Sequence, residues 1–246
     1  MPRVLVESNR PLLQQLISFR NLVCGSGSIR HYCGCLWPGN FPAHGTELSF
    51  DADDGTVEFF EDRGVRVIRQ TRRGRGEAFR LAARDARNDL LVFFSPDGNE
   101  EPADVPLLVD RLTQGYDMVI GSRFMTGGCS EDDDKFLFAS RRWGNLTFTW
   151  LVNILIPRRT WLTDSINGFR AVTRDAFARI QPDAEGYAIE FQMSIRARQL
   201  NLKILEIPTR EAPRFGKGVS KLSAVPVGLK FLRLLLSEWL RPRARR

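Results

Sequence analysis

The chain has 246 residues, of which 43% are hydrophobic and 26% are charged, and its formal net charge is +7. These proportions are ordinary for a globular protein, and the positive charge favours anionic partners: phosphorylated small molecules, anionic lipid surfaces or nucleic acid. Basic residues are not interleaved with aromatic ones in the manner of any known nucleic-acid-binding module, so no nucleic-acid partner is expected. No apolar run of about 18 residues predicts a membrane-spanning helix, and the N-terminus lacks a signal-peptide pattern, so we expect a cytoplasmic protein.

Residues 1–46 form an atypical N-terminal segment with little hydrophobic periodicity. This segment contains a cluster that could hold zinc, made of Cys24, His31, Cys33 and Cys35. The spacing differs from the paired CxxC of common structural zinc sites. Free thiols in a reducing compartment are therefore the favoured interpretation.

From Glu47 onward, short apolar runs alternate with helical patterns. In chain order, the predicted elements are strand 48–50, strand 65–68, a helix opened by residues 73–77, strand 90–94, helix 103–112 and strand 117–123. Strands that alternate with helices in this way indicate the α/β class. We expect a single, mostly parallel sheet covered by helices.

The strand over residues 90–94 leads into a turn that carries Asp97. Open α/β sheets bind ligands at the carboxyl ends of their strands, where a carboxylate can hold a divalent cation. Such a cation can neutralise a diphosphate leaving group. The alternative is an ordinary turn, in which Asp is common.

The second half of the chain differs in composition. An acidic stretch over residues 127–135 predicts a solvated loop rather than a metal site. Residues 140–156 predict a helix that is apolar nearly all round, and a place in the core is favoured over a lipid-facing one. A turn over 164–171 leads into a strand, and it is followed by strand 202–208 and a basic loop over 214–221.

The C-terminal segment, residues 223–246, combines an amphipathic stretch over 225–240 with four arginines in the final six residues. Apolar area next to basic charge is typical of a helix that attaches to an anionic membrane surface. The alternative is a helix that packs on the preceding domain and ends in a basic tail. The pattern leaves both alternatives open.

Eight short blocks, in this order, resemble family 2 glycosyltransferases of the GT-A (nucleotide-diphospho-sugar transferase) fold. The blocks are Asp54-Gly-Thr56, Arg75-Gly76, Asp97-Gly-Asn99 with Pro102, Gly121-Ser-Arg123, Ser140-Arg141, Gly168-Phe-Arg-Ala171, Glu206-Ile-Pro208 and Gly218-Val-Ser-Lys221. The chain is most similar to the dolichol-phosphate and polyprenyl-phosphate mannosyl- and glucosyltransferase-like subgroup. The resemblance extends over about four-fifths of the chain and implies a catalytic domain over residues 47–222.

The resemblance implies a nucleotide-sugar donor, transfer with inversion, and a divalent metal, Mg²⁺ or Mn²⁺, on Asp97 and Asn99. The residues implied for the donor nucleotide and its phosphates are Asp51, Asp54, Arg75 and Arg123. Those implied for a phosphate-bearing acceptor are Arg141, Arg214, Ser220 and Lys221. The acceptor of this family is often a lipid phosphate, which implies a peripheral place at the inner face of the membrane and a role in cell-envelope glycan synthesis.

The acceptor decides whether a general base is needed. A phosphate monoester, with a pKa near 6, is already mostly ionised at neutral pH and needs cationic positioning more than a base. A hydroxyl acceptor of a glycan would need a carboxylate base. Glu190 and Asp164 are the candidates.

Two departures from the family keep an alternative function open. Ser95 stands where the first acid of the family's D-x-D motif would be, and the family's opening nucleotide-binding turn is not found in residues 1–46. A catalytically impaired relative that binds a nucleotide sugar, a lipid phosphate or a protein fits both departures. A nucleotidyltransferase is a weaker alternative, because residues 25–30 make a poor phosphate loop.

Overall fold

The structure is a computed structural model that describes residues 3–6, 46–49, 66–70, 72, 74–94, 99–131, 139–212 and 224–241. Several predicted features lie outside the described residues: Asp51, Asp54, Ser95, Asp97, Arg214, Ser220, Lys221 and the Cys24–Cys35 cluster. Arg141 is described only by its place in a helix.

The strands are β1 (Arg3–Val6), β2 (Thr46–Ser49), β3 (Arg66–Arg69), β4 (Leu90–Phe94), β5 (Met118–Ser122), β6 (Cys129–Ser130), β7 (Arg170–Thr173), β8 (Ile204–Pro208) and β9 (Arg210–Glu211). The helices are α1 (Arg75–Asp85), α2 (Val105–Thr113), α3 (Ala139–Leu155), α4 (Arg174–Ile180), α5 (Ala188–Gln199) and α6 (Ala224–Leu240), with a 3₁₀ turn over Pro102–Asp104 before α2. From β3 onward, the elements that were predicted have bounds close to these, whereas α4, α5, β6 and β9 were not predicted.

Within the described residues, the main sheet has seven strands in the order β3-β2-β1-β4-β7-β5-β8. Strands β1 and β7 run antiparallel to both of their neighbours, while β2–β3 and β5–β8 are parallel pairs. Five strands therefore share one direction, but the sheet is mixed rather than mostly parallel. Strand β1 was not predicted, because four residues are too short to show a period.

The core lies on both faces of this sheet, because alternate residues of a strand point to opposite faces. On one face, Leu91 and Phe93 pack with α1, α4 and α5, and the ring of Phe93 stacks on Phe79 at 3.9 Å. On the other face, Val92 and Phe94 pack against α2. The sheet is thus covered by helices on both faces, as predicted.

A third apolar cluster joins α3, α5 and α6. The rings of Phe148, Phe191 and Phe231 contact one another with centroids 5.1–5.8 Å apart. Beside them, Glu238 of α6 is buried and accepts a hydrogen bond from the Arg196 guanidinium at 2.6 Å. The C-terminal helix therefore packs on the domain through one face.

The opposite sides of α3 and α6 are exposed. Large apolar side chains on these sides are Trp143, Trp150 and Ile154 of α3, and Leu229, Leu232, Leu236, Trp239 and Leu240 of α6. The prediction that α3 is a core helix is therefore correct for only one of its sides. Among the described helices, none is both long enough and apolar enough to cross a bilayer.

Candidate active site

The carboxyl ends of β4, β5 and β8 meet at one edge of the sheet, because these three strands share a direction. Backbone hydrogen bonds join the segments that leave them: Thr209 N–H donates to the carbonyl of Ser122 at 3.0 Å, and Ala212 N–H donates to that of Asn99 at 2.8 Å. This is the edge at which α/β sheets bind ligands. The candidate site is built here.

Asn99 lies five positions after the last residue of β4 and is buried. Among the described residues, its side-chain oxygen has no hydrogen-bond partner. A buried polar atom is normally paired, and an amide oxygen is an accepted ligand of hard divalent cations. The predicted metal site therefore fits this residue. Within the described ranges, no three His, Cys, Asp or Glu side chains are grouped to hold an ion, and Asp97 lies outside those ranges.

Arg123 leaves the end of β5 and forms a buried ion pair with Asp164. Its Nε and Nη2 atoms donate to the two carboxylate oxygens of Asp164 at 2.7 and 3.0 Å. Glu211 lies on the other side, 3.5 Å from Nη1. A bidentate fork of this kind fixes the guanidinium plane and is among the stronger charge-assisted contacts.

Two positions near Arg123 have no room for a side chain, so both require glycine. A Cβ on Gly121 would lie 2.9 Å from the Phe169 ring, and one on Gly128 would lie 2.4 Å from the carbonyl oxygen of Ser122. The hydroxyl of Ser122 accepts hydrogen bonds from the backbone N–H groups of Phe124 and Met125, both at 3.2 Å. These contacts explain the Gly121-Ser-Arg123 block.

Asp164 is itself held by Glu206 of β8. The Glu206 carboxylate accepts hydrogen bonds from the backbone N–H groups of Thr163 and Asp164, both at 2.7 Å. Burial raises the pKa of Glu206, and the hydrogen bonds from Asp164 and Thr163 oppose that rise. This role of Glu206, like that of Glu211, was not predicted from the sequence, although Glu206 stands in one of the family blocks.

Arg75 and Glu190 form a second ion pair. The Glu190 side chain is 1% exposed and contacts Arg75 Nε. The Arg75 guanidinium also lies over the Tyr187 ring, 5.1 Å from its centroid. Gly76 is required beside it, since a Cβ there would lie 2.2 Å from the carbonyl oxygen of Ala184.

The predicted site residues thus fall into three groups. Arg123 and Asp164 are brought together, as are Arg75 and Glu190, although neither pairing was predicted. Asn99 lies at the same sheet edge as Arg123. The remaining residues lie outside the described side chains, and their roles stay predictions: Asp51, Asp54, Asp97, Arg141, Arg214, Ser220 and Lys221.

A sequence model of the family described as Glycosyl transferase family 2 matches residues 50–181. The chain belongs to this family. Its fold is the GT-A fold, as the sequence blocks predicted.

Two relatives and one solved structure are similar to this chain. It is 31% identical to the glycosyltransferase AglJ of Haloferax volcanii over 169 residues, 65% of this chain and 51% of AglJ. It is 31% identical to the undecaprenyl-phosphate mannosyltransferase of Micrococcus luteus over 175 residues, 68% of this chain and 69% of that protein. The chain thus spans about half the length of AglJ.

The solved structure is the glucosyl-3-phosphoglycerate synthase of Mycobacterium tuberculosis with Mn²⁺, UDP-glucose and phosphoglyceric acid. The TM-score is 0.58 at 20% identity, and the match covers 78% of this chain and 67% of the synthase. At this identity the likeness establishes the fold alone.

Proposed function

We propose that this glycosyltransferase moves a sugar, with inversion, from a nucleotide-diphosphate sugar to a polyprenyl phosphate. The observation that carries the proposal is the buried side-chain oxygen of Asn99, for which the described part of the chain supplies no hydrogen-bond partner. Asp97 and Asn99 would hold Mg²⁺ or Mn²⁺. When bound there, the cation would neutralise the charge that develops on the leaving diphosphate.

The chemical class of the acceptor is inferred from the ion pairs that the two candidate bases form. Glu190 and Asp164 are each buried against an arginine, so their negative charges are already matched. A phosphate acceptor that is already ionised needs no base, and it fits this arrangement better than a hydroxyl does. The undecaprenyl-phosphate relative supports the same acceptor class.

The cationic residues would then position the two substrates. Arg141, Arg214, Ser220 and Lys221 would contact the acceptor phosphate, since planar guanidinium groups bind phosphate oxygens in pairs. Asp51 and Asp54 would contact the donor nucleotide. Arg75 and Arg123 would lie on the donor side of the site. Glu190 and Asp164 fix the positions of their guanidinium groups there.

A binding module without catalysis is the second candidate, and Ser95 favours it, because one metal-binding carboxylate is missing. The two functions are separated by a donor screen. Purified protein is incubated with GDP-mannose, UDP-glucose and other nucleotide sugars, with Mg²⁺ or Mn²⁺ and with or without polyprenyl phosphate. Nucleotide release that requires the acceptor supports the transferase, whereas donor binding without release supports the module.

Replacing Asp97 with asparagine is expected to abolish metal-dependent transfer and to leave the fold intact. The amide lacks the charge that a divalent cation needs, and the sequence predicts a turn rather than a core position for Asp97. The measurement is transfer against metal concentration, with thermal unfolding as the check on folding. Asp175→Asn, which changes an exposed carboxylate of α4, is the matched control and should behave as wild type. Undiminished turnover in Asp97→Asn would remove the metal assignment.

We also propose that α6 attaches the enzyme to an anionic membrane surface through its exposed face. Leu232 and Leu236 are exposed there, and Lys230 and Arg233 lie on the same helix. Each basic residue near an anionic surface contributes about 1 kcal/mol. Deleting residues 225–246 would also remove Phe231 and Leu235 from the core, so substitutions on the exposed face are the sharper test.

The double variant Lys230→Gln, Arg233→Gln is expected to partition into anionic liposomes about 30-fold more weakly at low salt. The control is Arg84→Gln with Arg87→Gln, which removes the same net charge from exposed positions at the end of α1. Sedimentation with liposomes measures both, and high salt should release the wild type. If the two double variants bind equally, net charge alone drives attachment and α6 is only structural.

A further inference from the structure

A pocket of about 550 Å³ lies between α3 and the segment that precedes Asp164. Its aromatic lining consists of Phe124, Trp143, Trp150 and Trp161, and Leu146 and Leu162 add apolar surface. We call it the tryptophan pocket. The side chains of its three tryptophans are 53–67% exposed. A group of tryptophans with this degree of exposure forms an apolar surface patch. Such patches are typical of sites that bind a ligand, a protein partner or a membrane.

The tryptophan pocket opens beside the candidate active site. Two of its lining residues, Phe124 and Thr163, directly adjoin Arg123 and Asp164 in the chain. The hydroxyl of Thr163 lies 2.6 Å from that of Ser122, the last residue of β5. A ligand in the pocket would therefore lie beside the Arg123–Asp164 pair of the candidate site.

Two arginines lie at the end of the tryptophan pocket that adjoins the candidate site. The guanidinium of Arg142 lies over the Phe124 ring, 5.7 Å from its centroid, and that of Arg123 lies 5.0 Å from it. Arg123 is buried against Asp164, whereas Arg142 is exposed. A ligand with an anionic head and an apolar tail matches this order of charge and aromatic surface.

The polar groups of the pocket argue against a sugar as its occupant. Thr149 is hydrogen-bonded to Ser165 at 2.8 Å, and the Thr163 hydroxyl donates to Glu206 at 3.0 Å. A sugar would need several hydroxyl partners, and two of the three threonines that line the pocket are already engaged within the protein; the third is Thr147. Apolar lining with few polar groups to spare is what a hydrocarbon chain requires.

We propose that the tryptophan pocket binds the first isoprene units of the lipid chain of the acceptor, with Arg142 beside its phosphate. This proposal rests on the proposed function and names the part of the chain that selects a lipid-linked phosphate. Pockets of about 300–1,000 Å³ enclose a drug-sized ligand. The pocket therefore holds a few isoprene units, and the rest of a long chain extends beyond it.

The test measures binding without turnover, so it is independent of whether transfer occurs. Three of the five tryptophans of the chain line the pocket, so farnesyl phosphate should change the intrinsic fluorescence saturably, while inorganic phosphate should not. Trp150→Ala and Trp161→Ala should each weaken farnesyl phosphate binding about tenfold or more. Both side chains are more than half exposed, so the variants should melt within a few degrees of wild type.

The matched control is Trp239→Ala, which removes an exposed tryptophan of α6 that does not line the pocket. It should bind farnesyl phosphate as wild type does. Equal weakening in all three variants, or in none, would overturn the proposal. So would variants that lose liposome binding but keep farnesyl phosphate binding, since the tryptophans would then contact the bilayer instead.

Transfer assays separate this proposal from the proposed function. If wild type binds farnesyl phosphate through the tryptophan pocket but transfers no sugar from any donor, the proposed lipid pocket is supported and the proposed transferase function is contradicted. If it transfers sugar and the KM for polyprenyl phosphates is the same in wild type, Trp150→Ala and Trp161→Ala, the transferase stands and the pocket fails. If both stand, the KM should fall from a C5 to a C15 phosphate and level off beyond that length.

Discussion

Replacing Asp164 with asparagine is expected to lower the free energy of unfolding by about 3–5 kcal/mol, the usual cost of breaking a buried ion pair. Asp164 is fully buried, and both of its oxygens accept hydrogen bonds from Arg123. Without the carboxylate, the guanidinium still has Glu211, 3.5 Å from its Nη1 atom. The loss should therefore lie near the lower end of that range. Urea unfolding measures it.

Transfer should fall in the same variant because Arg123 and the segment after β5 lose their fixed position. The double variant Asp164→Leu, Arg123→Met separates stability from position. Apolar residues of similar size can replace a buried ion pair without loss of stability, so this variant should recover much of the free energy of unfolding but not the activity. A drop below about 1 kcal/mol in Asp164→Asn, together with a large loss of kcat, would instead make Asp164 the general base.

The local pattern of the sequence predicted most elements well. The run of apolar residues gives β4 its bounds at Leu90 and Phe94, and helix α3 begins and ends within one residue of the predicted 140–156. Both depend on local periodicity, which a single sequence displays directly. The antiparallel place of β7 between β4 and β5 depends on contacts between distant segments, and no local pattern encodes it.

The candidate site shows the same division. Arg123 was predicted from a family block as a phosphate ligand, and Asp164 was named as a candidate base for a hydroxyl acceptor, but the two are 41 residues apart in the chain. Their pairing became visible only when the sheet placed the end of β5 beside the 163–167 turn. The apolar pattern of α3 likewise could not tell which side of the helix is covered. Trp143 and Trp150 of α3 therefore line a surface pocket instead of packing in the core.

Replacing Glu190 with glutamine is expected to lower the free energy of unfolding by about 3–5 kcal/mol as well, because it leaves Arg75 without its carboxylate. The Arg75 side chain is only 16% exposed, so solvent compensates little of the loss. The double variant Arg75→Gln, Glu190→Gln removes both charges and should be more stable than Glu190→Gln alone. A double-mutant cycle of urea unfolding curves gives the coupling energy of the pair.

The activity of Glu190→Gln decides between a positioning residue and a base. A general base contributes about 10²–10⁴ in rate, so kcat should fall by that factor if Glu190 removes a proton from the acceptor. Since a polyprenyl phosphate is already ionised at neutral pH, we expect kcat to change far less, measured at a temperature at which the variant is folded. The KM for the nucleotide sugar should rise, because Arg75 is no longer held. Glu185→Gln, an exposed position in the same segment, controls for loss of charge and should match wild type. A hundredfold loss of kcat confined to Glu190→Gln would show that the acceptor group needs a base, and the phosphate acceptor would have to be replaced by a hydroxyl.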